Sequence, residues 1–403
     1  MTTSWEVRDL TTGDHEQALA VRTRSFGKLH DSMRGWWMSV QDELIALRRV
    51  IGVFDGERLV GTAKGRPFQQ FWGGRLVAMS GVAGVVVLPE YRGQGVASLL
   101  MRALAERSIE LGDVVSALYP AVVAPYRSTG WELAGAQTRI TLDSRLLRGL
   151  GSPDVRLRAG TTADVERVRE LLAHSCAARR ANGPLLPTTA EVEESLGDES
   201  FSYFTDDGFV LYEWHEGNLV VNCLLAGSEA SARALWGVVG SGASIAKQVH
   251  AYVSPTDPIH LLLPDEASQD VTQQRWMLRL LDAPQAIAAR GFGPHVSGSA
   301  SLTLEDSLLP ANRGTWLLEV ADGRGSLTRV GPDAGAGSGT GSAAWSTVTG
   351  SLRLGPKGLA ALYAGMPLHS IRTAGLASGG TAAADAFLDS AFGGPAPFLL
   401  EYF

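Results

Sequence analysis

The sequence predicts an α/β protein with mixed sheets: two related α/β units in tandem, then a third unit. Three observations carry this. The chain has 403 residues, and at roughly 100–200 residues per domain that means two to four domains, not a single core. Apolar residues make up 45% and charged residues 19%, a balance that suits packed domains and excludes a disordered chain. The chain also repeats itself. Residues 7–16 read VRDLTTGDHE and residues 157–166 read LRAGTTADVE. Arg8 matches Arg158, Thr11 matches Thr161, Thr12 matches Thr162, Asp14 matches Asp164 and Glu16 matches Glu166. In each copy a short strand ends, a Thr-Thr pair follows, and a helix starts with Asp in its first turn, where a negative charge suits the helix dipole.

The elements of the first unit follow in order. Trp5 to Arg8 reads as a strand, and Asp14 to Phe26 and Gly35 to Arg49 as helices. Arg49 to Asp55 is a strand, Gly56 a turn, and Arg58 to Gln69 a second strand. Arg75 to Leu88 is a long β-branched strand region. Val96 to Leu111 is an amphipathic helix, apolar at 96, 99, 100, 103 and 104. Val114 to Tyr119 and Thr138 to Asp143 are strands. Clusters of Gly and Pro mark two linkers, 144–154 and 291–299, the second after an amphipathic run from Trp276 to Arg290. Residues 331–345, rich in Gly and Ser, read as a mobile surface loop. The units are therefore 1–148, 149–291 and 292–403.

Charge and composition exclude several classes. Lys+Arg 35 against Asp+Glu 42 gives a net charge of −7. With no basic run, nucleic acid and anionic membranes are not expected partners. No apolar run approaches the roughly 18 residues of a membrane span, and the N-terminus lacks a secretory pattern, so a cytoplasmic location is expected. Cys176 and Cys223 make no disulfide framework and no zinc pattern. His250, His260, His295 and His369 have no metal spacing, so no metal is expected.

The informative segment runs from Val85 to Ser98. Val85, Val86 and Val87 end a strand that stops at Pro89. Arg92, Gly93, Gln94 and Gly95 form a turn, and Val96, Ala97 and Ser98 open a helix. Glycines let the backbone approach a ligand closely. The free N–H groups of the new helix then point at one spot, suited to a pyrophosphate. Arg92 adds a fixed positive charge. The segment lacks the third glycine of a dinucleotide fingerprint. Strand, Pro, Tyr-Arg-Gly-x-Gly and amphipathic helix together resemble the acetyl-CoA-binding motif of GNAT acetyltransferases.

That resemblance implies acetyl-CoA as co-substrate, with main-chain pairing of its pantetheine arm to Val85 and Val87. A second segment, Pro125-Tyr126-Arg127-Ser128-Thr129-Gly130-Trp131-Glu132, resembles the Tyr-x-x-x-Gly-aromatic of the same domains. It implies that Tyr126 protonates the leaving thiolate, since a phenol of pKa around 10 stays protonated at neutral pH. The alternative is a half-buried structural tyrosine.

Over the full length the chain resembles the Eis (enhanced intracellular survival) acetyltransferases: tandem GNAT-like domains, the second without its motif, then a domain similar to sterol carrier proteins. Residues 276–292 look like that family's segment at the end of the second domain. The resemblance implies N-acetylation of primary amines such as aminoglycosides or other polyamine-like substrates, and a homo-hexamer. It implies the terminal carboxylate of Phe403 as general base. The apolar tail Pro397 to Phe403 gives separate support, because chain ends are normally polar and frayed; the alternative is a last core strand with its carboxylate in solvent. Trp36 is implied as a pocket wall, with Trp37 beside it as competitor. Glu401 and Asp31 are negative charges for a cationic substrate, or solvated side chains. Two departures make the pocket less acidic: Ala121 to Ala124 replace a polar Ser-Glu pair, and Phe26 stands at an acidic position. In the second unit, Trp236 to Gly242 is the expected counterpart of the coenzyme turn, with glycines but no arginine. A lipid or sterol carrier, a non-catalytic coenzyme binder, and an acetyltransferase for protein lysines or a small biosynthetic amine are the competing readings.

Overall fold

The computed structural model describes residues 5–152, 154–197, 200–263, 268–330 and 350–403. The Gly/Ser-rich segment 331–345 lies outside these residues. Among the described residues, a thirteen-stranded mixed sheet runs through both repeats. Its first half holds Glu6–Asp9, Val50–Asp55, Arg58–Trp72, Arg75–Val87 and Val115–Leu118 side by side. Then comes Ser268–Leu280, from late in the chain, and only after it Glu132–Asp143. The second half continues with Gln248–Val253, Asn218–Ala226, Gly208–His215, Ser200–Phe204 and Arg158–Ala159. Each repeat's last strand thus completes the other's sheet: Leu278 pairs with Ala117 on one side, and Val271 with Ile140 on the other.

The repeat is visible atom by atom. Arg8 grips Asp14 at 2.9 Å and Arg158 grips Asp164 at 2.6 Å. Both aspartates close a capping box with the preceding threonine, Thr11 or Thr161. Each arginine lies over a phenylalanine at the same spacing, Phe54 at 3.8 Å and Phe204 at 4.8 Å. Such an invariant strand-to-helix joint fixes where the first helix of each copy, His15–Phe26 and Val165–Ala178, leaves the sheet.

Two expectations need correction. The amphipathic run from Trp276 to Arg290 is not one element: it spans the end of the strand Ser268–Leu280 and the helix Ala283–Ala289. Trp276, Met277, Leu278 and Leu280 are buried on both faces, so the strand reads as a near-continuous apolar run with no period of two. Residues 144–154 are not a loose linker. Ser144–Leu147 is a helical turn, and Leu147 and Leu150 are buried against helix Glu229–Gly240. A Cβ on Gly240 would meet Arg148 N at 2.5 Å, so the small residue is what allows this contact.

The third unit is a five-stranded sheet ordered Arg324–Arg329, Gly314–Ala321, Gly298–Leu304, Leu352–Leu354 and Ala377–Gly379. Its helix Pro356–Tyr363 is buried from Gly358 to Tyr363. That helix packs on the strands Ser268–Leu280 and Glu132–Asp143, so the core is continuous with the large sheet. Two buried arginines pin the junction. Arg290 sits among Phe292, Tyr363 and Phe392 at 4.6–5.0 Å from their ring centres. Arg279 Nη2 bonds both oxygens of Asp306 at 2.8 Å, and Asp306 also accepts the N–H of Leu309. Removing one partner of such a buried pair leaves the other charge uncompensated. Asp306→Ala is therefore expected to lower stability by about 3–5 kcal/mol in urea unfolding, and a loss below about 1 kcal/mol would mean that the pair is not what holds this junction.

Candidate active site

The site grows from a fork in the sheet. Arg75–Val87 pairs with Val115–Leu118 only at Met79–Val115, Ser80–Ser116 and Gly81–Ala117. Beyond Gly81 the strands part. A bulge on the other side opens them: Thr62 pairs with Val86, but Lys64 pairs with Ala83, so Gly84 and Val85 face a single residue. Gly84 has φ 57°, which only glycine adopts without strain. Val86 is buried toward helices His15–Phe26 and Arg34–Ala46, while Val85 and Val87 pack toward helix Val96–Glu110. The strand edge over Val85 and Val87 is left without a strand partner on the fork side.

The turn after this strand is held from outside. The Tyr91 hydroxyl bonds Asp55 at 3.0 Å, and its ring meets Trp5 edge-on. Gln94 donates to the Glu90 carbonyl at 2.8 Å, and Arg92 Nε donates to the Val87 carbonyl at 3.3 Å. Gly93 and Gly95 have φ 74° and 90°, and nothing lies within 4 Å of where their Cβ atoms would be. The first bond of the next helix runs from the Leu99 N–H to the Gly95 carbonyl. The N–H groups of Val96, Ala97 and Ser98 precede it, with no side-chain cap. Here the chain presents free donors, an exposed Arg92 and empty space, which is what a pyrophosphate needs.

The second repeat fills the same place with its own atoms. Its counterpart is Gly227-Ser228-Glu229, at the start of helix Glu229–Gly240, and not Trp236 to Gly242, which forms the end of that helix. Ser228 caps the helix by accepting the Ser231 N–H, and the Asp207 carboxylate accepts the Ser231 hydroxyl. Glu229 adds another negative charge in the first turn. An anion arriving there would meet two carboxylates and a satisfied helix end.

The chain end reaches the fork. Ala136 N–H donates to the Pro397 carbonyl and Leu399 N–H to the Ala136 carbonyl, both at 3.4 Å, and Phe398 N–H donates to the Asn182 carbonyl at 3.1 Å. Gln137 Nε2 donates to the Leu400 carbonyl at 2.6 Å, and the Tyr119 hydroxyl to the Glu401 carbonyl at 2.9 Å. Phe403 then wedges its ring between Phe68 (5.0 Å) and Tyr119 (5.5 Å). Its edge touches Gly81, the last paired residue of the fork, where a Cβ would come within 2.9 Å of the ring. Tyr402 stacks on Tyr119 at 4.6 Å.

Tyr126 lies on the short helix Val123–Ser128, half-buried, and its hydroxyl has no hydrogen-bond partner among the described residues. Burial, with the Tyr402 phenol nearby, pushes its pKa up, so it stays protonated at neutral pH. Glu401 is exposed to solvent. The protein massed around it, with Glu191 adding repulsion, pushes its carboxyl up to about 7 against the pull of the Leu400 and Glu401 N–H groups. Cys176 is pushed up to about 12 by burial and Cys223 also rises, so neither thiol is primed as a nucleophile. Trp36 is 57% exposed and Asp31 pairs with Lys28 at 3.6 Å on the surface. It is Trp37 and Phe26 that line a slot under the first two helices, together with Arg22, Gln41, Lys64 and Gly84. Sequence reasoning missed Tyr119, Phe68 and this slot. The alternation Lys64, Arg66, Phe68 on one face of its strand was the signal available.

A forked strand, a glycine turn and an open helix start define an acetyltransferase of the GNAT class. Acetyltransferase (GNAT) domain models match residues 6–134 and 191–280, and a sterol carrier protein domain model matches 283–400. A solved GCN5-related N-acetyltransferase from Kribbella flavida is 47% identical, covering 99% of this chain and 98% of that one, with a TM-score of 0.93. This chain belongs to the GCN5-related N-acetyltransferase family. An uncharacterized N-acetyltransferase of Streptomyces griseus subsp. griseus is 29% identical over 318 residues, 69% of this chain and 74% of that protein. Eis1 from Mycobacterium abscessus shares the fold at 22% identity and a TM-score of 0.74, covering 99% of this chain and 100% of that one. GNAT domains use acetyl-CoA as co-substrate. No helix among the described residues is long and apolar enough to cross a membrane, and no group of metal-ligating side chains is found among them.

The raised Glu401 carboxyl has a thermodynamic sign. Its folded pKa of about 7 lies above its ordinary value of 4.5, so the native state holds the proton longer than the unfolded chain. Stability from this group is present below the ordinary value and is lost as pH rises toward 7. Glu401→Gln should raise the thermal midpoint at pH 8 and leave it unchanged at pH 4; an equal shift at both would show that ionisation is not the cause.

Proposed function

We propose that this acetyltransferase moves the acetyl group of acetyl-CoA directly to a primary amine at the sheet fork. The observation that carries the reading is the terminal Phe403, wedged against Gly81 where the cofactor strand parts from its neighbour. The pyrophosphate rests on Arg92, Gly93, Gln94, Gly95, Val96, Ala97 and Ser98. The pantetheine arm pairs with Val85 and Val87 beside Val86. The incoming ammonium gives a proton to the Phe403 carboxylate, and the free amine attacks the thioester carbonyl. A strand N–H of Val85 or Val87 steadies the oxyanion. As the adduct collapses, Tyr126 donates its proton to the departing thiolate, and the second proton shed by the nitrogen returns to the Tyr126 phenolate, leaving the neutral amide and the thiol.

Glu401 supports a second reading of the base. A carboxyl raised to about 7 two residues before the chain end is matched to taking a proton at neutral pH. It would serve directly, or receive the proton that the terminal carboxylate accepts.

The units 1–148, 149–291 and 292–403 then have separate duties: catalysis, a structural second copy whose helix start is capped by its own carboxylates, and a closing domain that delivers the tail. Among the described residues Leu362, Tyr363, Leu368 and Phe392 are buried in the last unit, and its cleft at Thr303, Asp306 and Arg353 is lined mostly by polar side chains, which weighs against a lipid carrier. The resemblance to Eis acetyltransferases extends the reading to aminoglycosides or polyamine-like acceptors, to a homo-hexamer and to a cytoplasmic location.

Thiol release from acetyl-CoA across a panel of aminoglycosides, polyamines and amino acids tests the chemistry. Tyr126→Phe should lower kcat by about 10²–10⁴-fold, the usual worth of a general acid, with coenzyme affinity retained. An unchanged kcat would remove Tyr126 from the mechanism. Calorimetry should count one coenzyme A per chain; two would contradict the structural role of the second copy.

A further inference from the structure

The slot under the first two helices lies on the far side of the cofactor strand, at its bulge. Lys64 reaches it from the strand Arg58–Trp72 and Arg22 from the helix His15–Phe26. Lys64 Cε comes within 2.9 Å of where a Cβ on Gly84 would stand, so the missing side chain is what admits the lysine. Arg22 donates to the Gly27 carbonyl at 2.9 Å. Neither cation meets a carboxylate among the described residues. Gln41, 6% exposed, lines the same slot; its unpartnered Oε1 is an acceptor, so it would serve an N–H of the ligand and not its carboxylate. A slot of about 30 Å³ exceeds the room one water needs and suits a group of carboxylate size. Arg66 and Phe68 continue the same strand face, and the Phe68 ring touches Phe403. The slot and the chain end are thus joined along one strand.

We infer that the acceptor amine carries a carboxylate, and that Lys64 and Arg22 receive it in this slot while the amine reaches the fork. The inference rests on the acetyl-transfer reading and names its substrate class: an amino acid or a carboxyl-bearing amine, not a polycation. Burial and the neighbouring charges of Arg66 and Arg22 push the Lys64 ammonium down to about 8. An unpaired cation in that state gains from an arriving anion and repels a second cation. A bidentate carboxylate would also use the fork geometry of Arg22.

The test uses matched acceptors that differ only in the charged group: β-alanine, 4-aminobutyrate and the common α-amino acids, each against its carboxamide, with spermidine as the polycation. The acid members should exceed their carboxamides by at least about tenfold in kcat/KM, the worth of one charge-assisted hydrogen bond. Lys64→Met should erase that margin through KM. A second readout needs no turnover. The chain has only four lysines, Lys28, Lys64, Lys247 and Lys357, so trace labelling with acetic anhydride and mass spectrometry reads each one. The acids should shield Lys64 and leave the other three alike. Shielding without any thiol release would leave an anion site at Lys64 and sink both the acetyl-transfer reading and the acceptor assignment that rests on it. Preferred turnover of spermidine or of the carboxamides, with Lys64 labelled equally throughout, would overturn this inference and keep the chemistry.

Discussion

Residues 397–401 are stitched between two parts of the large sheet by main-chain bonds to Ala136 and Asn182 and by the side chains of Gln137 and Tyr119. No side chain of the tail makes these bonds; the main chain sets its path, and the buried Leu399 side chain anchors it in the core. Room for that path comes from two glycines. A Cβ on Gly135 would collide with the Pro397 carbonyl, and one on Gly183 with Phe398. The tail in turn places Tyr402 and Phe403 on Tyr119 and Phe68. A chain end is usually frayed; this one is ordered because all three units converge on it.

The crossed strands explain why convergence is possible. Ser268–Leu280 enters the first repeat's sheet beside Val115–Leu118, and Glu132–Asp143 leaves it for the second. The fork lies beside this exchange. Its far wall, from Tyr119 to Tyr126, follows directly on the strand that Ser268–Leu280 supports. A change in the packing of the second repeat would therefore reach the reacting groups through one shared strand. The second repeat has kept the strand-to-helix joint that folding needs and filled the helix start that binding would need.

Much of this was legible in the sequence, for local reasons. The turn Arg92 to Gly95 stands out only through its context, because a Gly-x-Gly alone could be a structural turn; the strand, the proline, the arginine and the amphipathic helix around it carry the resemblance. The repeat declares itself because Arg, Thr and Asp must all stay for the joint to close. Other features are tertiary and left no local mark. Trp276 to Leu280 reads only as part of a longer amphipathic run because a strand buried on both faces shows no alternation. The packed joint at Leu147 and Leu150 looks like a linker because its partner, Gly240, lies about 90 residues away. Trp36 and Trp37 are adjacent, and only the helix phase decides that Trp37 turns inward. The cationic slot draws Arg22, Gln41 and Lys64 from three elements, so no motif could announce it.

The central claim is that the α-carboxylate of Phe403 takes part in the reaction. Semisynthesis of the chain with a C-terminal carboxamide changes that one group and keeps every ring contact. Single-turnover acetyl transfer should slow by about 10²-fold or more, the range of a lost general base, with coenzyme A affinity and thermal midpoint retained. Transfer at the native rate by the amidated chain would contradict the account and leave Glu401 as the base.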